Sequence, residues 1–172
     1  MNSQILIKIN SFVKKRFIEF SGILLVITSI FLLISILSYD QGDPSLTHTP
    51  ETDVLKNLGG FYGSAIADFI LQSIGLVSFF IIINLFNWGF TLIKEKKIAN
   101  FITKVFFTFS YIIFGTTYLN ISYNYSYWIN FHGNGGFVGR IIKENTYIFS
   151  KMHKDCVSTK RRLPIIMFSY VF

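Results

Sequence analysis

From Phe20 to Leu37 the sequence FSGILLVITSIFLLISIL runs for 18 residues without one ionisable side chain. At 1.5 Å per residue a helix of this length covers most of a hydrocarbon core about 30 Å thick. Thirteen of the positions are Ile, Leu, Val or Phe, each favouring insertion by about 0.3–0.6 kcal/mol, so the segment enters a bilayer by several kcal/mol. A cleaved signal peptide has a shorter apolar core, about 7–15 residues, followed by a small-x-small cleavage site. The sequence SILSYDQGD after the run offers none. Charged residues make up only 15% of the chain, against about 25% in ordinary soluble domains.

Two more stretches follow the same logic. Residues 66–89 carry a single charge, Asp68, and residues 101–119 carry only Lys104, which lies near the start of its stretch and can extend its ammonium to the interface. The fold class expected is therefore all-α, with three integral membrane helices at 20–37, 66–89 and 101–119. Lys14, Lys15 and Arg16 precede the first helix, and Lys94, Lys96 and Lys97 lie in the loop 90–100. Basic residues beside spans face the cytoplasm, which puts the N-terminal segment 1–19 and this loop inside. The segment 38–65 carries Asp40, Asp43, Glu51 and Asp53 against Lys56 and is expected outside, with Asp43-Pro44-Ser45 and Thr49-Pro50 as turns. Trp88 is expected at a headgroup boundary. Residues 120–142, rich in Tyr, Asn and Ser, read as interfacial. Residues 143–172 form a basic tail with no apolar run long enough to span.

No chemistry is encoded in recognisable form. The chain has no GxxxxGK[ST] phosphate loop, and His48, His132 and His153 stand alone, without a second ligand at helical spacing. Cys156 is the single cysteine, which excludes an intrachain disulfide. No cofactor, metal or catalytic group is expected. The basic tail suits solvent or anionic lipid as well as phosphate, and no direct nucleic-acid binding is expected. Asp68 has two readings: an intramembrane functional acid, as in a small transporter or channel with Lys104, or a carboxylate in the first helical turn that caps backbone amides. Gly59, Gly63 and Ala67 recur every fourth residue, as do Gly135 and Gly139. On a helix such spacing makes a smooth ridge for close packing, with self-association as one use. The other reading is loop glycines.

The loop and second helix, SYDQGDPSLT followed by NLGGFYGSAIADFILQSIGLVSFFI, resemble the N-terminal membrane domain of the FtsK/SpoIIIE DNA translocases. Ser38, Tyr39, Asp40, Asp43, Pro44, Ser45, Asn57, Gly59, Gly60, Gly63, Ala67, Asp68 and Gly75 occupy the places of that family's pattern, with Ser64 where Ala is common. NGGFVGRII, with Gly135, Gly136 and Gly139, resembles the opening of its fourth membrane helix. The resemblance covers roughly residues 16–142. It implies a septal inner-membrane anchor that assembles with copies of itself and with division proteins, joined in the family to a cytoplasmic ATP-driven motor. The polar, basic sequence after Ile142 predicts that the fourth helix is lost and that the chain is a shortened relative without the motor. A remnant without function is the remaining reading.

Overall fold

The computed structural model describes residues 3–46, 55–123, 129 and 133–148. These are helices and connecting turns, with no strand among them. Helix α1 spans Ser3–Leu37, α2 Gly60–Ile74, α3 Ser78–Glu95 and α4 Phe101–Ser122, with a 3-10 turn at Gly75–Val77 between α2 and α3. A fifth helix, α5, covers 136–148. Three stretches are long and apolar enough to cross a membrane: Ile9–Leu37, Gly60–Glu95 and Phe101–Ser122. The chain is thus an all-α, multi-pass membrane protein, and the expected number of spans holds among the described residues.

The second span differs from the sequence expectation. Its helix starts at Gly60, not 66, and breaks at Gly75, whose φ of 61° is a backbone state that glycine adopts without a Cβ penalty. Gly59 and Gly63 lie against Ser35 of α1, while Gly89 lies against Gly22 and Val26. Ser35 and Gly22 are about 20 Å apart along α1 at 1.5 Å per residue, yet Gly63 and Gly89 would be about 39 Å apart on one straight helix. The chain therefore changes direction at the break. Helix α3 runs antiparallel along α1, and α2 crosses the end of α1 that leads into the loop after residue 37.

The α1–α3 contact is a backbone one. A Cβ built on Gly22 would lie 2.8 Å from the Gly89 carbonyl oxygen, and one on Gly89 would lie 2.8 Å from that of Gly22. Without a strong hydrophobic drive between helices in lipid, close approach of this kind is what holds them, through dispersion over the whole interface. At the basic end, Lys96 donates to Glu19 at 2.7 Å, and Arg16 bonds the same carboxylate at 2.6 Å. Lys96 and Asn100, with φ of 57° and 51°, make the tight turn into α4. Helix α4 returns beside α3 through side chains. Tyr111 Oη accepts from the Asn84 amide at 2.7 Å and its ring meets Phe80; Trp88 packs on Phe101, one helix start away from the basic turn.

Residues 120–142 are not purely interfacial, because helix α5 begins at 136 and continues six residues past Ile142. Glycine decides its position. Gly135 and Gly139 sit against the Thr116 carbonyl and Asn120 of α4, and Gly136, at φ 63°, sits against the backbone of Ser73, Ile74 and Gly75. The remainder of the tail, with His153 and Cys156, lies outside the described residues, as do His48, His132, Glu51 and Asp53.

Gly75→Ala and Gly136→Ala are each expected to lower stability by about 3 kcal/mol, combining left-handed strain with backbone overlap. Gly60→Ala, at φ 67° but with nothing within 4 Å of the added carbon, should lose only about 1 kcal/mol. Thermal unfolding of the three variants in detergent micelles checks the ranking.

Candidate functional site

Most of the candidate residues named from the sequence converge at one end of the bundle, where the loop after α1 meets α2. Asp43 is the anchor. Only 3% exposed, its carboxylate accepts the backbone N–H of Lys56 at 2.9 Å and that of Asn57 at 2.7 Å. Two amides that would otherwise be buried without partners are thereby satisfied. The loop that leaves α1 and the segment that enters α2 are thus tied together by this one side chain.

Asn57 carries the tie to α1. Its amide nitrogen donates to the Ser35 carbonyl at 2.8 Å and more weakly to that of Ser38 at 3.3 Å, while its side-chain oxygen accepts from Gly59 N–H at 2.9 Å. The Ser35 carbonyl belongs to the last turn of α1, which has no intrahelical donor left for it, and that of Ser38 follows just past the helix end. Ser38 Oγ accepts from Leu58 N–H at 3.0 Å. Ser64 donates to the Pro44 carbonyl at 2.7 Å, so the Ser standing where the resemblance has Ala gains a bond. Ser45 follows in the same turn. At the rim, Asp40 accepts from Gly42 N–H and from Lys56 Nζ, at 2.9 and 2.8 Å. The Lys56 ammonium, and then the Gly42 amide, hold the Asp40 carboxyl below its ordinary range, and Asp40 in turn raises Lys56.

The glycine ridge is turned inward. Gly59 and Gly63 face Ser35 and the Asn57 side chain, where an added Cβ would lie 2.5–2.8 Å from the nearest atoms, and Ala67 is fully buried with Ile36 and Leu71. The helix that Gly59 and Gly63 pack against is α1 of the same chain. Gly60 makes the left-handed entry to α2. Asp68 corrects its capping reading: α2 begins at Gly60, so this carboxylate is two turns in and accepts the Tyr39 hydroxyl at 2.8 Å. Burial first, then Asp68, raises the Tyr39 phenol. Lys104 lies in the first turn of α4 at the opposite end, so these two charges share no site.

A second junction adjoins the first. The Asn134 carbonyl accepts Leu76 N–H at 2.9 Å, supplying a partner for an amide freed by the break at Gly75. Asn134 also donates to the Tyr123 carbonyl at 3.0 Å, and Lys143 to that of Asn120 at 3.0 Å. Sequence reasoning missed Gly22, Gly89, Asn84, Tyr111, Thr116 and Asn120. Polar residues within apolar helices were the available signal for the last four. Among the described residues no group of three or more His, Cys, Asp or Glu could hold a metal. The side chains of the junction are spent on backbone groups.

Asp43→Asn, which sets an NH2 group against one of two donors, should lower stability by about 1.5–3 kcal/mol and expose the loop to limited proteolysis. Asp40 contributes at the exposed rim, with its lowered pKa: its contribution is present above the ordinary Asp range near pH 4 and fades as pH falls through the lowered value, while that of Lys56 fades only above about pH 10. Proteolytic protection of the loop is therefore expected to be flat from about pH 5 to 9 and to drop at the acid end; a drop near neutrality contradicts this.

The family model for the 4TM region of DNA translocase FtsK/SpoIIIE matches residues 14–149, more than three quarters of the chain. The match extends past Ile142 to the end of α5, so the departure expected there is corrected to a later point. Among curated relatives, the DNA translocase FtsK of Azospirillum brasilense is 32% identical over 91 residues, covering 52% of this chain and 14% of the relative. That of Rickettsia bellii is 29% identical over 94 residues, covering 55% and 12%. That of Rickettsia prowazekii is 35% identical over 68 residues, covering 40% and 9%. This chain thus aligns with only a small part of each relative's length. No solved structure matches it. With the loop clasp and the GG-x-x-G helix start both in place, the chain belongs to the family of 4TM regions of DNA translocase FtsK/SpoIIIE, as a multi-pass membrane domain.

Proposed function

We propose that the chain is the membrane anchor of a DNA translocase of the kind that acts in chromosome segregation at the division septum, seated in the bacterial inner membrane with its N-terminus in the cytoplasm. It performs no catalysis itself. Its described part is helices and a structural clasp, and ATP hydrolysis and DNA movement belong to a motor that this chain's residues do not supply. Self-association and contacts with division proteins are its expected partners besides lipid.

The observation that carries the reading is the charge segregation of a family-matched bundle. Lys14, Lys15 and Arg16 on α1 stand at the same end as Lys94 in the last turn of α3 and Lys96 and Lys97 just after it, with Arg16 and Lys96 joined through Glu19. Asp40 and Asp43 stand at the other end, in the clasp. Basic flanks on the cytoplasmic face are the physical preference of inserted helices. The clasp closes one face of the bundle, leaving the basic face toward the compartment that holds DNA.

In a Cys156→Ser background, Ser45→Cys should react with an impermeant maleimide added to spheroplasts, whereas Lys97→Cys should react only after permeabilisation. A fluorescent fusion should collect at the septum. The reverse labelling pattern overturns the orientation, and uniform membrane fluorescence overturns the septal role.

A further inference from the structure

Helix α2 does not run down the bundle beside α1. Gly63 lies against Ser35, yet Asp68, five residues further on, bonds Tyr39, four residues nearer the loop. A helix descending antiparallel to α1 would face about Ile30 there. The far end of α2 stays near the loop end as well. Gly136 faces Ser73 and Ile74, and the adjoining Gly135 faces Thr116 and Asn120 in the last two turns of α4. Because Gly89 meets Gly22 in the antiparallel α1–α3 contact, Ser78 is level with about Leu33, one turn before α1 ends. The lengths agree. Helix α3, with 18 residues, is about 27 Å long against a hydrocarbon core of about 30 Å, whereas the 15 residues of α2 add about 22 Å that one crossing does not use.

The helix has three faces that suit such a position. Gly63, Ala67 and Leu71 are buried toward the bundle. Ser64, Asp68 and Gln72 form a polar line at every fourth residue, and the first two bond the loop, at the Pro44 carbonyl and the Tyr39 hydroxyl. Tyr62, Ile66 and Phe69 make an apolar line, 76%, 38% and 64% exposed, with the Phe61 ring edge-on to Tyr62. A helix crossing hydrocarbon has no use for the polar line, and one in water could not carry the apolar one; at the membrane boundary both are satisfied. Tyr62 adds a hydroxyl on an apolar ring, the chemistry favoured at headgroup level. Past the break the exposure continues with Phe80 and Ile83 of α3, 62% and 56%, so the face runs on into the surface of the spanning helix. We propose that α2 lies along the membrane boundary at the loop end, with its Tyr62–Ile66–Phe69 face in lipid where headgroups meet acyl chains, and that α3 makes the crossing. This contact with lipid goes beyond the anchor reading and holds whichever compartment the loop end faces.

The test uses the full chain reconstituted in phospholipid vesicles. In a Cys156→Ser background, nitroxides attached at Tyr62→Cys, Ile66→Cys and Phe69→Cys should report one common depth, about 5–10 Å into the boundary, from their relaxation by oxygen and by an aqueous nickel complex. Labels at Phe80→Cys and Ile83→Cys should lie deeper. A depth that grows by about 10 Å between residues 62 and 69 overturns the proposal. Shielding of those three labels from both oxygen and nickel also overturns it, since a second copy then covers the face. The unsubstituted chain gives an independent reading. Lipids with a photoreactive carbene precursor near the glycerol should label the 60–74 segment severalfold more than lipids carrying it at the acyl terminus, while both label 78–95. Labelling of 60–74 chiefly by the terminal probe, or by neither, overturns the proposal. Either failure leaves the anchor reading standing, and loss of septal fluorescence in cells leaves this one standing.

Discussion

The architecture turns on a helix break filled by another stretch of backbone. At Gly75 the chain leaves α2 in a left-handed conformation, and the segment 133–136 closes against it, with Asn134 O taking the freed Leu76 amide and Gly136 facing Gly75 directly. In a medium without water, a broken helix persists only where its loose amides and carbonyls find partners in the protein. The break is therefore tolerable because α5 starts where it does. In return, the break lets α2 cross the end of α1 while α3 keeps the long antiparallel contact. Remove either glycine and the two segments must separate by the width of a methyl group at a place where both are main chain.

The clasp around Asp43 and Asn57 solves a related problem one layer out. The last turn of α1 leaves carbonyls without donors, and the segment that leads into α2 brings backbone amides that need acceptors. Asn57 donates to the Ser35 carbonyl and Asp43 accepts from the amides of residues 56 and 57. One side chain serves each kind of orphan. The close approach this demands is why Gly59 and Gly63 face Ser35, and why Ala67 is buried against the same helix end. Lys56 adds an exposed ion pair to Asp40, which at such a position contributes little compared with the buried bonds.

The two ends of the bundle are thus built on different principles. The loop end is held by backbone contacts and by the buried Asp43 and Asn57 side chains. The basic end is held by Glu19 between Arg16 and Lys96, and by rings such as Trp88 on Phe101. The bonds at the loop end keep α1 and α2 in register, while the opposite end presents charge.

The sequence by itself determined that this chain enters a membrane, how many long apolar stretches it has and which end is basic, because insertion depends on summed transfer energies that composition reports directly. Spacing also singled out Gly59, Gly63, Gly135 and Gly139, and turn chemistry Asp43, whereas Asn57, Gly75 and Gly136 stood out only through the resemblance to the family's pattern. Only the tertiary structure decided what they touch. That α2 and α3 are two directions of travel, that Asp68 receives Tyr39 and caps nothing, and that Gly22 meets Gly89 are pairings across 29 and more residues of chain. A sequence read along its length has no term for such pairings, because each partner alone looks like an ordinary residue of an apolar helix.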